Sequence, residues 1–404
     1  MAASSHADHF FQTSSTLEET ERKARKATNA HGDPAKFSTK LLALAIDHQL
    51  QSRDDVAFVA QAAGDINGLT LSSPEERTVL RGPKAPVTCL AIHSATDEST
   101  GARIKTVYAG CWDKSVWSFP VSVQPQADKA PPPPSSFPAH SDFVKSLAIA
   151  VTPDKESIII SGSADGDVRF WSLSGDALAV VKARSRAVEC IAVDPFAPAD
   201  APAVFFGTSQ RNIFSLVLPR KTELSGKSIE LSPLPAVHET SVYKLHFDED
   251  GDLWTASADR SSKRLVRDSG WKADTVLQHP DFVKDVVTHD RYGLVLTACR
   301  DEEIRVWDKA TSQLRHIFTG HFEEVTGLAL SGDELISVSI DATLRRWSLE
   351  PRALQKAIEA VKEVADPEPQ TEASQLTAEE EAELRALMEG EEADVLDRMA
   401  ADEQ

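Results

Sequence analysis

One pattern recurs along this 404-residue chain and limits its fold more than any other feature. It begins with His, then three residues, then a Val that opens an alternating apolar segment. A second apolar segment ends in an Asp turn, and a third ends in Trp six residues after that Asp. His140, Val144, Asp165 and Trp171 form one copy; His279, Val283, Asp301 and Trp307 a second; His321, Val325, Asp341 and Trp347 a third. A fourth has His238, Val242 and Asp259, with Leu265 in place of the Trp. Two copies lack the His: one runs from Val87 through Asp113 to Phe119, the other from Val188 to Leu216 without the Asp. A degenerate seventh copy precedes these, with strands expected at Leu41 to Ile46, Val56 to Gln61 and Ile66 to Leu71.

The anchors Val87, Val144, Val188, Val242, Val283 and Val325 are separated by 57, 44, 54, 41 and 42 residues. Each segment alternates with a period near two, as Val168 and Phe170 do against Arg169 and Trp171, which is strand periodicity. Turn residues bound the runs: Asp165-Gly166, Asp259-Arg260 and Ser331-Gly332-Asp333. Even spacing at this period argues for an all-β repeat whose units bury their faces only against one another. The two long intervals contain Pro131 to Pro134, expected as a stiff loop between repeats, and a polar stretch with Pro219, Pro233 and Pro235.

On these residues the chain resembles the WD40 repeat family of β-propellers. The matching segments are Gly320-His321, Ser161 to Trp171, Thr297 to Asp308 and Ser337 to Ser348. Among the Trp residues that end a repeat only Trp307 is followed by Asp; Trp117, Trp171 and Trp347 are each followed by Ser. The resemblance implies an all-β, seven-bladed propeller over residues 37–349. An N-terminal extension with a short helix (1–36) precedes it, and an acidic, partly disordered helical tail (350–404) follows. It also implies that the N-terminal segment supplies the last strand of the ring, for which Phe10 to Thr13 is the candidate.

Three copies carry a full polar set: His140, Ser161, Asp165, Trp171; His279, Thr297, Asp301, Trp307; and His321, Ser337, Asp341, Trp347. A hydrolase needs one such constellation in one cleft beside an oxyanion site. Three equivalents at a fixed period indicate a structural module instead. The resemblance implies that each set is a hydrogen-bond chain inside a blade. An indole N–H donates to a hydroxyl, the hydroxyl meets an imidazole, and a carboxylate accepts at the end. There is no Gly-rich phosphate loop, metal-ligand cluster or nucleophile with a neighbouring base, so neither an enzyme nor a cofactor is expected.

Lys and Arg number 43 and Asp and Glu 63, a net charge of −20. Residues 366–404 alone hold 14 acids and two bases, a net of −12. Without an extended basic block, direct binding to nucleic acid or to an anionic membrane is not expected. The longest apolar run, Leu41 to Ile46, is far short of the roughly 20 residues that span a bilayer. Met1 to Gln12 has no basic segment leading into an apolar one, so no secretory signal is expected. Cys89, Cys111, Cys190 and Cys299 form no close pair and read as buried reduced thiols. Together these features predict a cytoplasmic or nuclear protein.

Function is then sought in the loops that share one face of the ring. That face is expected to show Asp142, Phe143, Asp281, Phe282, Phe322, Glu323 and Glu324. Arg184, Arg186, Arg211 and Arg260 come from adjacent loops with Lys263 nearby, so the face is expected to be divided in charge. Residues 14–29 read as a helix with a basic cluster, Arg22, Lys23, Arg25 and Lys26. The cluster is either an import signal or a helix lying against the propeller. Residues 352–364 read as a second helix. Beyond it, Leu384, Leu387, Met388, Val395, Leu396 and Met399 mark an amphipathic acidic stretch suited to a partner's groove. The expected role is a non-catalytic scaffold, itself monomeric, for protein partners in a multi-subunit complex. The alternative is an escort for a basic protein such as a ribosomal protein or histone. Trp347→Phe removes one buried donor and strands its acceptor, so it should cost about 1–3 kcal/mol; an unchanged melting curve would contradict this assignment.

Overall fold

The computed structural model describes residues 14–48, 55–96, 103–122, 133–183, 185–224 and 229–365. Seven four-stranded antiparallel sheets follow one another around a ring. Blades 1 to 6 occupy residues 41–80, 87–138, 144–182, 188–233, 242–278 and 283–318. In each, the four strands lie side by side in chain order. Blade 7 takes its first three strands from Val325–Ser331, Glu334–Ser339 and Thr343–Ser348. Its fourth comes from the other end of the chain.

That fourth strand is Ala35–Lys36, in place of the Phe10 to Thr13 segment, which lies outside the described residues. Ala35 pairs with Leu344 and Lys36 with Thr343. The amides of Phe37 and Arg346 extend the seam to the carbonyls of Ala342 (2.8 Å) and Gly32 (2.7 Å). Both edges of an open seven-sheet array are thereby removed.

The ring is held by apolar contacts between blades. Val87, Val144, Val188, Val242, Val283 and Val325 are fully buried, and Leu41 occupies the same position in blade 1. Val144, Val188 and Val242 each enter the preceding blade against a glycine of its second strand: Gly110, Gly162 and Gly207. A side-chain carbon on Gly162, for example, would stand 2.6 Å from Val188, so glycine here marks close packing. Ile160 and Phe170 of blade 3 join Val188 and Phe206 of blade 4 in one cluster. Ile336 and Val338 of blade 7 join Leu41 and Val59 of blade 1 in another, which seals the ring. Every first strand carries a register shift just after its anchor.

The two long intervals are insertions within blades, not between them. Pro131 to Pro134 precede the outer strand Ser135–Pro138 of blade 2, and the 218–231 stretch precedes the outer strand Ser232–Pro233 of blade 4. Outer strands lie farthest from the ring axis and tolerate lengthened connections. The N-terminal helix spans Ser14–Ala27, and a second helix, Pro351–Ala365, follows blade 7. No helix among the described residues is long and apolar enough to cross a membrane.

Gly32 sits at φ +70°, and a side-chain carbon there would stand 2.9 Å from the Trp347 ring. Gly32→Ala therefore combines left-handed strain with a clash against a ring fixed by its own hydrogen bond. It should lower stability by about 1–3 kcal/mol in chemical denaturation. An unchanged midpoint would argue against this route for the closing segment.

Candidate functional site

The recurring polar sets fall inside the blades. Trp171 Nε1 donates to Ser161 Oγ (2.9 Å), which meets His140 Nε2 (2.8 Å), while His140 Nδ1 reaches Asp165 (3.1 Å). Blade 7 repeats this with Trp347, Ser337, His321 and Asp341 at 2.9, 2.8 and 2.8 Å. The partners assign the protons: Nδ1–H donates to the carboxylate and Nε2 accepts from the hydroxyl. Blade 5 keeps His238, Thr255 and Asp259 at 2.7 and 2.8 Å, without a Trp.

Blade 6 departs from the expected chain. Trp307, Thr297 and His279 are linked at 2.9 and 2.7 Å, but His279 Nδ1 turns to the carbonyl of Leu277 (3.1 Å). Asp301 instead takes both guanidinium nitrogens of Arg305, at 3.1 and 2.6 Å. A permanently charged bidentate donor outcompetes a neutral imidazole for a carboxylate. In blade 7 the equivalent Arg345 is held elsewhere, by Asn29 Oδ1 (2.8 Å) and the carbonyl of His31, so Asp341 is left to its His.

The turn after each second strand follows one design. In blades 2, 3, 5, 6 and 7 an Asp side chain accepts the amide two residues on: Asp113, Asp165, Asp259, Asp301 and Asp341. The residue after that Asp, and its equivalents in blades 1 and 4, is left-handed. Around the ring these are Gly64, Lys114, Gly166, Arg211, Arg260, Glu302 and Ala342. Two residues before the Asp, Ser163, Ser257 and Ser339 donate to the carbonyls of Asp142, Ser241 and Glu323. Cys111 and Cys299 take that position in blades 2 and 6. All four cysteines are free, and burial pushes the thiols of Cys89 and Cys299 up to about 12. They are inert packing groups.

These turns share one face, here called the upper face, with the loops that lead into each first strand. Over blades 6 and 7 the N-terminal helix covers it. Arg22 makes a bidentate pair with Glu302 (2.6 and 2.7 Å). Lys26 bridges Glu302 (3.0 Å) and Glu303 (2.6 Å), and Lys23 reaches Glu323 (2.9 Å). Asn29 Nδ2 then donates to the carbonyl of Gly320 (3.1 Å). Arg22, Lys23 and Lys26 of the basic cluster thus dock the helix on the propeller. Glu302, absent from the expected site residues, is 6% exposed, and Arg22 and Lys26 hold its carboxyl below the usual range against the effect of burial.

The remaining expected residues divide. Phe143 is exposed, but Phe282 and Phe322 are half-buried, and Arg300 lies over the Phe282 ring at 5.3 Å. Asp142 and Asp281 accept the next amide along the chain, at 2.8 Å each, and so shape their loops. Glu323 and Glu324 are spent on Lys23 and Lys284. Lys263 turns inward to the carbonyl of Val237. Arg186, Arg211 and Arg260 are exposed, while Arg184 lies outside the described residues. Sequence reasoning missed Trp112, which is 44% exposed and stacks on Phe143 at 4.8 Å between ring centres. Its signal was its place: a large apolar residue between the second strand of blade 2 and its turn Asp113.

The axis of the ring holds a channel of about 190 Å³ lined by first-strand residues, among them Lys145, Glu189, Lys244, Lys284 and Asp285. Its charges are paired across blades: Lys145 with Glu189 (2.7 Å), Lys244 with Asp285 (3.2 Å) and Lys284 with Glu324 (3.0 Å). On the opposite face Asp248, Asp250 and Asp290 converge closely enough to hold a cation. Lys309 already supplies one, at 3.0, 2.8 and 2.5 Å.

Comparison with known proteins follows this geometry. The family model described as WD domain, G-beta repeat, matches residues 132–172 and 271–308. A WD repeat-containing protein of Schizosaccharomyces pombe is 30% identical over 387 residues, covering 94% of this chain and 98% of that one. Mitochondrial division protein 1 of Kluyveromyces lactis is 28% identical over 159 residues, 35% of this chain and 22% of that protein. Human Striatin-3 is 30% identical over 97 residues, 24% of this chain and 12% of that protein. The solved WD40 beta propeller domain of Doa1 superposes with a TM-score of 0.61 at 16% identity, over 80% of this chain and 98% of that one. At that identity the likeness is one of fold.

The buried histidines set an acid limit on the ring. Burial, with the positive charge of Arg305, pushes His279 down to about 4, and burial, with Lys244, does the same to His246. A depressed value means the unfolded chain takes up the proton first, so stability is present above about pH 6.5 and is lost as pH falls toward 4. Each His should remove about 2 kcal/mol between pH 7.5 and 5. Denaturant midpoints measured across that range should fall with pH, and a flat profile would contradict the neutral, buried state of both rings.

Proposed function

The chain belongs to the WD40 repeat family, and from that premise we propose that it is a non-catalytic scaffold. It presents the upper face of its propeller, and its C-terminal tail, to protein partners in a multi-subunit complex. WD40 domains generally bind proteins, which supports the class of function. The observation that carries the reading is the Trp112–Phe143 stack. It leaves two large rings 44% and 37% exposed on a face where the recurring polar residues are consumed internally. Exposed aromatics of this kind anchor interfaces.

The tail residues Leu384, Leu387, Met388, Val395, Leu396 and Met399 lie outside the described residues. Their helical spacing in an acidic stretch supports a second contact. Escort of a basic protein has less support from the propeller. The acids of its last two loops, Glu302, Glu303, Glu323 and Glu324, already meet Arg22, Lys26, Lys23 and Lys284. That reading rests on the tail, with its net charge of −12. A cytoplasmic or nuclear setting accords with either role.

Affinity purification from native lysate tests the proposal. The full chain, a version ending at Glu350 and Trp112→Ala are each washed at low and high salt. Partners that survive high salt and are lost with Trp112→Ala support an upper-face scaffold, and loss on truncation places the contact on the tail. A single basic protein released by salt favours the escort. No enriched partner in any form contradicts both.

A further inference from the structure

Six of the seven upper-face turns fill their left-handed position in one of two ways, and blade 7 has Ala342 there. In blades 1 and 3 it is Gly64 and Gly166, the residue that adopts this conformation without cost. In blades 2, 4, 5 and 6 it is a long charged side chain: Lys114, Arg211, Arg260 and Glu302, with φ between 66° and 77°. A turn alone gives no reason to prefer these residues over glycine. In blade 6 the reason is visible, since Glu302 holds the basic N-terminal helix through Arg22 and Lys26. A charged side chain at this position therefore reaches a helix laid across the face.

Blades 2, 4 and 5 present the same position with the opposite sign. Lys114, Arg211 and Arg260 are exposed, as is Arg186 in the loop leading into blade 4. Among the described residues none of the four side chains has an acidic partner. At one end of this arc stands the exposed Trp112–Phe143 pair. We propose that the upper face of blades 2 to 5 docks an acidic protein segment, held by this cationic arc, with an apolar side chain against the aromatic pair. The proposal rests on the scaffold reading and gives its partner a chemistry. It mirrors the contact made within the chain, where basic side chains of a helix meet acids of blade 6.

Charge complementarity selects the class of partner. Single-stranded nucleic acid would also meet cations and aromatics, but it binds by stacking bases on open ring faces. Here Trp112 and Phe143 already stack on each other, at 4.8 Å and 15° between planes. The whole chain, at −20, also repels a polyanion that extends past the arc.

The test uses the full chain and a fluorescein-labelled amphipathic peptide of Glu and Leu, with Leu at helical spacing, read by anisotropy. Arg211→Gly with Arg260→Gly should weaken binding about five- to tenfold, while the melting temperature stays level or rises because strain at both turns is relieved. Trp112→Ala should weaken binding about tenfold. Raising salt from about 50 to about 300 mM should weaken the wild type more than the glycine variant. The proposal is overturned if the wild type does not bind the peptide or if the variants bind it equally well. Tighter binding of a Lys-for-Glu peptide or of oligouridylate overturns it too. Each of those results leaves the scaffold reading standing, because partner capture from lysate does not depend on the partner's charge. Capture that fails while the peptide binds as expected would instead sink the scaffold.

Discussion

Closure of the ring by its own N-terminal segment is the contact on which the rest of this structure depends. A seven-sheet array has an exposed edge at each end until Ala35–Lys36 pairs with Thr343–Ser348. The paired backbone is short, but it is flanked on both sides. Arg346 takes the carbonyl of Gly32 and Phe37 that of Ala342, while Ile336 and Val338 pack with Leu41 and Val59 across the seam. Because the first residues of the ring must reach the last blade, the segment before them is carried over blades 6 and 7. That path brings Arg22, Lys23 and Lys26 to Glu302, Glu303 and Glu323.

Closure therefore also divides the upper face. Glu302, Glu303 and Glu323 are neutralised by the chain itself, whereas Lys114, Arg186, Arg211 and Arg260 are exposed with no acidic partner among the described residues. Hydroxyls, imidazoles and carboxylates are linked inside the blades, and the channel charges are paired across them. On the proposed scaffold reading, what the molecule offers to others is surface, shaped by which turn residues are exposed and which are already occupied.

Much of this was legible in the residues. The anchor valines and the alternating runs marked the strands, including the degenerate first blade, where Val56–Gln61 matches the expected strand at both ends. The hydrogen-bond chains around Trp171 and Trp347 are those that the resemblance to WD40 repeats implied for these residues. Other features had no such signal. Ala35–Lys36 is two residues long and too short to show a period. The switch of Asp301 from His279 to Arg305 depends on a competition that spacing does not reveal, since blades 3 and 7 also carry an Arg at that position. The pairing of the basic helix joins residues about 280 apart in the chain. Sequence order does not rank such a contact against solvent. Trp112 lay inside the copy that runs from Val87 to Phe119, beside its turn Asp113, at a place to which the repeat assigns no role.

Hydrogen–deuterium exchange over Thr343–Ser348 is the most direct measure of the account. In the full chain the amides from Thr343 to Arg346 should be as protected as those of Ile304–Asp308, the same strand of blade 6, because the N-terminal segment pairs at Thr343 and Leu344 and accepts from the Arg346 amide. In a chain beginning at residue 37 the protection should be lost from Thr343 to Arg346 first, and retained over Ile304–Asp308. Fast exchange from Thr343 to Arg346 in the full chain, or protection that survives the truncation unchanged, would contradict closure by the N-terminal segment and the division of the upper face that follows from it.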